Sequence, residues 1–319
     1  MTGSLRHPRP GLVGWVLLAV ALAFCIVALA ARWNDVSSVV GQVSLADLLA
    51  AAVAAGAGML LTGLSWRAVL VGLGPRLSAR ESLAVFTAAQ LGKYVPGSVW
   101  VVAIQADLGR RHQIRTSVMA LSYAVAALVA LATGALLALV AMTDPHRPLA
   151  PPVLAVVAAA GLVLLAGLAR PQLLNRILRA GARLLRRDLP SVTLSLGALA
   201  RAVLWEGFGW IGLGLHVWLL ARPLGAPIAL LPAYVGAFAL AFVAGLALLP
   251  LPAGLGVREG LLVVFLTPSL GAGPALTVAL VSRLVLVVVD LALAGALGGQ
   301  ALVSRARAAA RDGAGPAHS

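Results

Sequence analysis

The chain is short of charge, of cysteine and of lysine. Only 11% of its 319 residues are Asp, Glu, Lys or Arg, against roughly 25% in a soluble domain. Whole stretches carry no charge at all: 11–31, 48–66, 117–143, 149–169 and 223–257. Each reaches or exceeds the roughly 17–25 residues a helix needs to cross the hydrocarbon core. Helices of a soluble bundle need polar outer faces, and these stretches have none. The soluble class is excluded. Cys25 is the only cysteine, which excludes an intramolecular disulfide and a cysteine metal cluster. Also missing are a paired-aspartate metal motif, a His-Glu zinc motif, a Gly-x-Ser-x-Gly nucleophile and a Gly-x-x-x-x-Gly-Lys phosphate loop. These absences argue against a metallohydrolase, a serine hydrolase and direct use of ATP, so no cofactor is expected.

What is present is apolar residues, 61% of the chain, and a formal charge of +14. The charge does not mark a nucleic-acid binder, because the arginines fall in short segments between apolar runs. Arg6, Arg9, Arg76, Arg80, Arg110, Arg111, Arg115, Arg170, Arg176, Arg179, Arg183, Arg186, Arg187, Arg305, Arg307 and Arg311 share one side if the runs cross the membrane in turn. Only Arg32, Arg147 and Arg222 fall on the other, so the positive-inside rule puts both termini in the cytoplasm. The expected fold is an all-α, polytopic integral membrane bundle of about eight transmembrane helices plus a re-entrant broken helix. The spans are drawn at 11–31, 46–72, 117–142, 150–169, 194–220, 229–249, 255–270 and 275–302. The first is longer than a signal-peptide core, with Trp15 and Trp33 near its ends, and is expected to be retained. Residues 1–304 form one domain, followed by a short basic cytoplasmic tail at 305–319.

Local signals refine this plan. Ser44 with Asp47, and Ser78 with Glu81, have capping-box spacing and should start helices. Asp144 to Pro148 reads as an outside turn. Residues 171–188 place Leu173, Leu174, Ile177, Leu178, Leu184 and Leu185 at helical spacing with arginines on the other face, which predicts a cationic amphipathic helix on the inner leaflet.

Two apolar segments are broken. Residues 81–109 have basic loops on both sides, so they should enter and leave the membrane on the same side. Gly92, Pro96 and Gly97 interrupt them in the middle. Leu249 to Gly260 holds Pro250, Pro252, Gly254, Gly256 and Gly260. Non-helical backbone at membrane depth persists only where protein or a wet cavity covers it, and paired breaks point to a transporter site. Gly254 and Gly256 stand where free N–H groups could receive an anion at the start of the next helix.

Ionisable residues at membrane depth cost roughly 2.5–3.5 kcal/mol each and mark function. Lys93, Asp107, Arg201, Glu206, Arg258, Glu259, Arg283 and Asp290 qualify, and Lys93 is the only lysine. Arg283 and Asp290 are two turns apart on one face, so each should find a partner on another helix. Tyr94 and Trp100 either line a headgroup site or anchor the re-entrant segment at the interface. Glu206 and Asp290 are candidate charge partners, and His216 reads as a packed residue.

Gln90 to Trp100, containing Gly92-Lys93-Tyr94-Val95-Pro96-Gly97, resembles the first signature of the lysylphosphatidylglycerol synthase transmembrane (flippase-like) family. Pro252 to Gly260, containing Gly254, Gly256, Arg258 and Glu259, resembles the second, and Ser282-Arg283-Leu284 a third position in the last span. The resemblance implies a lipid translocase-like membrane domain, a standalone member without the aminoacyltransferase domain, so lysyl transfer is not expected. It implies binding of a lipid headgroup by Lys93, Tyr94, Pro96, Gly97, Trp100, Gly254, Gly256, Arg258, Glu259 and Arg283. The expected partner is a phospholipid or glycolipid of a bacterial inner membrane. A non-translocating partner of a glycosyltransferase or lipid-modifying enzyme is the alternative.

Overall fold

The computed structural model describes residues 41–94, 99–140, 151–168, 170, 172, 176, 194–247 and 256–298. The first expected span, the turn at 144–148, nearly all of the amphipathic segment 171–188 and the tail lie outside the described residues, as do Pro96, Gly97 and Gly254.

Every element among the described residues is helical: α1 (Leu45–Gly72), α2 (Ala79–Gln90), a 3-10 turn (Leu91–Tyr94), α3 (Trp100–Arg111), α4 (Thr116–Ala138), α5 (Pro151–Leu168), α6 (Leu196–Ala221), two 3-10 turns (Arg222–Leu224 and Ile228–Leu230), α7 (Leu231–Ala247), α8 (Val257–Leu270) and α9 (Ala272–Leu293), which a π-turn (Ala294–Gly298) extends. Among the described residues five stretches are long and apolar enough to cross a membrane: Leu45–Gly72, Thr116–Ala138, Leu196–Leu224, Ile228–Leu246 and Ala272–Leu297. The protein is a polytopic helical bundle. Both capping boxes form, with Ser44 and Ser78 each exchanging hydrogen bonds with the acid three residues on.

The expected span at 255–270 needs correction. α8 has 14 residues, about 21 Å at 1.5 Å per residue, too short for a core of roughly 30 Å. Glycine at 256 starts it late and Gly271 turns the chain directly into α9. Because α8 and α9 pack side by side from that turn, the start of α8 lies level with the middle of α9.

Residues 79–111 fold back on themselves. α2 and α3 are 12 residues each and pack together. Glu81, at the entrance, lies 3.9 Å from His112, just past the exit. The segment therefore returns to the side it came from, its tip at the 3-10 turn.

The antiparallel pair α1–α6 is the spine, with the most extensive contact among the described elements. Glycines permit it. A Cβ on Gly58 would sit 2.8 Å from the backbone nitrogen of Leu213, and one on Gly212 would sit 2.9 Å from the Gly58 Cα. One end of the spine packs on α7, α8 and α9, the other on α2, α3 and α4.

Candidate functional site

The tip of the hairpin is shaped by Gly92. A Cβ there would fall 2.8 Å from the backbone of Trp100 and Val101, so only glycine lets α3 start so close to the turn. The turn carries Lys93 and Tyr94 onto α9. The Lys93 Nζ lies 2.7 Å from Asp290 Oδ2, and the Tyr94 hydroxyl donates to the same oxygen. Asp290 is 1% exposed. A buried carboxylate thus binds the hairpin tip by two charge-assisted contacts.

The second break is built around Gly256. Its φ of +84° lies in the left-handed region that favours glycine. Its N–H donates to Glu259 Oε2 at 2.8 Å. The other carboxylate oxygen, Oε1, accepts from Arg283 Nη1 at 3.1 Å. Glu259 therefore ties the start of α8 to the middle of α9, with both of its oxygens engaged. This corrects the expectation for Gly256: its N–H is held by Glu259, so it is not a free donor for an anion.

Between the two ties lies Arg258. It is 8% exposed, and its guanidinium stacks 4.9 Å above the ring of Phe238 on α7. Its Nε and Nη2 find no hydrogen-bond partner among the described residues. Arg258 is within electrostatic reach of Arg283, Glu259, Tyr94 and Asp290, and Arg283 stands 5.9 Å from the Tyr94 ring. The cluster holds three cations, Lys93, Arg258 and Arg283, against two carboxylates, Glu259 and Asp290. Among the described residues one positive charge is left over, and the buried polar atoms without partners in the cluster are Nε and Nη2 of Arg258 and Oδ1 of Asp290.

Residues 16–294 match the family model of the lysylphosphatidylglycerol synthase transmembrane region. The chain belongs to that family. The match runs from the first expected span through both breaks and Asp290, so the whole cluster of this family member lies inside it. No curated protein matches the chain.

Not every residue singled out from the sequence joins the cluster. Glu206, expected as a charge partner, is buried on α6 against α1 and makes no ion pair among the described residues. The reason is register: the face of α6 that carries Glu206 is the one that packs on α1. Asp107 pairs locally with Arg110 at 2.5 Å and Arg111 at 3.6 Å, half-exposed at the foot of α3. Arg201 is exposed. Trp100 opens α3, its backbone against Gly92.

Two residues support this family member's cluster: His216, read from the sequence only as packed, and Phe238, which the sequence did not mark. Phe238 forms the platform beneath Arg258, and nothing in the charge-free run around it singles it out. His216 is fully buried and ties α6 to α9. Its Nδ1 bonds the Leu213 carbonyl and must carry the proton, so Nε2 accepts from the Ser282 hydroxyl at 2.8 Å. Its ring meets Phe238 edge-on at 5.2 Å. Ser282 precedes Arg283, so this bond fixes the stretch of α9 that presents the guanidinium.

Proposed function

We propose that the chain is a flippase-like protein of a bacterial inner membrane that binds the phosphate-bearing headgroup of a phospholipid or lipid-linked sugar and carries it between leaflets. The observation that carries this reading is Arg258: a buried guanidinium with two donors unpartnered, in a cluster one positive charge in excess. A phosphodiester supplies the missing charge and accepts from both donors in the planar geometry that arginine favours. Lys93 and Arg283, already paired with Asp290 and Glu259, are placed to close around the same anion.

The helix that presents Arg283 and Asp290 inward exposes Leu284, Val288 and Leu291 on its other side, and α8 exposes Val264. A headgroup in the cluster would leave its acyl chains along those apolar faces, in lipid. The reading assigns transport rather than catalysis: the charges and donors of the cluster suit holding a headgroup. With the mouth of the α2–α3 hairpin on the arginine-rich side, the tip reaches into the membrane from the cytoplasm.

Leaflet-resolved lipid translocation in proteoliposomes tests the assignment. Arg258→Gln with Lys93→Ala, compared in folded protein, should slow translocation at least tenfold, the loss of one charge-assisted hydrogen bond costing roughly 1.5–3 kcal/mol. Wild-type rates in the folded double variant would overturn the site. Mass spectrometry of the lipid that copurifies identifies the headgroup.

A further inference from the structure

The α1–α6 spine buries an acid that the cationic cluster does not use. Glu206 is 3% exposed. The antiparallel register sets Gly58 against Leu213 and Thr62 against Gly209, where a Cβ would lie 2.7 Å from the Thr62 Oγ1. One turn further along the same register, the Glu206 carboxyl lies beside the Ser65 hydroxyl. Thr62 and Ser65 are three residues apart, as are Glu206 and Gly209, so each pair shares a face. A carboxyl and two hydroxyls therefore face one another across the seam, with Gly209 making room.

These hydroxyls differ from most buried hydroxyls of the described helices, Ser82 on α2 being the other exception. Thr87, Ser122, Thr133, Thr267 and Thr277 each donate to a carbonyl of their own helix at 2.6–3.1 Å, the usual choice for a hydroxyl inside a helix. Thr62 Oγ1 and Ser65 Oγ are buried and make no such bond, nor does one of good geometry close between Ser65 and Glu206. Ser65 is fully buried.

No cation among the described residues balances the acid. On α1, Arg67 gives its Nη2 to the Leu77 carbonyl at 3.2 Å. On α6, Arg201 is exposed and His216 is held by Leu213 and Ser282. On α9, Arg283 and Asp290 belong to the cationic cluster. α2 offers Arg80, which is exposed and otherwise engaged, and Glu81, which faces His112. α4 offers only the phenol of Tyr123, and α7 that of Tyr234, which faces Ser269. None of these charges bears on the Glu206 carboxyl.

An ionised carboxylate in that position costs several kcal/mol. Something must remove the charge. A metal ion needs more oxygens than one carboxylate and two hydroxyls, and the carbonyls of the two helices are committed to their own ladders. A proton needs only the carboxylate, and the resulting acid gains an O–H that can donate to Ser65. We propose that Glu206, with Ser65 and Thr62, is a proton-binding site, holding a neutral carboxylic acid that exchanges its proton with water. The proton comes from solvent hydronium, leaves a water molecule, and no other bond breaks.

Infrared difference spectra of the full chain in lipid nanodiscs, wild type minus Glu206→Gln, decide this without reference to lipid movement. The expected result is a carboxylic C=O band at neutral pH that shifts in D2O and persists when Na+ replaces K+. Carboxylate bands in its place overturn the proposal. Loss of the band in Na+ assigns the site to a metal ion instead, and a band inert to D2O makes Glu206 a sealed structural acid. Ser65→Ala, which keeps Glu206, should move the band without abolishing it. An unmoved band would refute the niche even if the Gln variant failed to fold.

Discussion

At the scale of single residues, the site is a set of unequal charges. Arg283, Glu259, Lys93 and Asp290 are committed to one another across helices, while Arg258 keeps donors in reserve. The pairs hold helices in place and the reserve is left for a ligand. Breaking a buried pair by removing one partner strands the other charge, which costs about 3–5 kcal/mol. Arg283→Ala should therefore lower the midpoint of thermal unfolding in detergent. Adding Glu259→Gln should restore much of it, because glutamine carries no charge and its oxygen can still accept from Gly256. If the double variant unfolds no later than Arg283→Ala, the Glu259 tie is not what holds α8 to α9.

At the scale of elements, caps and glycines decide where helices start and how closely they pass. The Ser78 hydroxyl and N–H hold the Glu81 carboxyl below the usual glutamate range, with His112 adding a smaller pull. A depressed folded value means that its stabilisation is complete above the ordinary value near 4.5. It fades as pH falls through the lowered value. Hydrogen exchange across residues 79–90, corrected for intrinsic rates, should show α2 loosening only on acidification. Ser78→Ala should loosen it by about 1 kcal/mol at neutral pH.

In the spine, Gly209→Ala would drive a methyl against Thr62 and Gly58→Ala one against the backbone of Leu213. Each should cost about 1–3 kcal/mol. Gly207, two residues from Gly209, has nothing within 4 Å of an added Cβ. Gly207→Ala should leave the unfolding midpoint unchanged, and equal losses at 207 and 209 would contradict this packing.

At the scale of the whole molecule, the chain winds so that both breaks reach α9 from different directions. The hairpin tip meets Asp290 and the start of α8 meets Arg283. The two levels are seven residues apart, about 10 Å along the helix by its rise. Asp47 and Arg222, at the opposite end of the spine from the hairpin mouth, pair at 2.6 Å. The orientation proposed from the arginine distribution, arginine-rich loops in the cytoplasm, can be checked directly. In a Cys25→Ser background, Arg110→Cys should be labelled by an impermeant thiol reagent only after the cytoplasmic face is opened. Ile228→Cys should be labelled in intact cells. The reverse pattern would invert the topology.

Much of this was legible in the residues. The charge-free runs dictated a membrane bundle, because backbone and side chains alike must be satisfied without water. The Ser-Asp and Ser-Glu spacings placed two helix starts, since a cap is a contact over three residues. Glycine at 92 and 256 marked the two breaks, since helix failure is local chemistry. Partners were a different matter. Lys93 and Asp290 are 197 residues apart in sequence and meet only because a hairpin folds back against the last helix. Glu206 was read as a charge partner because its type is charged, yet the α1–α6 register turns it to Ser65. Arg258 and Glu259 are neighbours with opposite roles, one uncommitted and one fully engaged, which depends on which way each points from the first turn of α8. Composition and local spacing by themselves determined the solvent, the breaks and the residues at risk. Only the tertiary structure decided which charges meet, because pairing is set by helix register and depth, and those are fixed by packing.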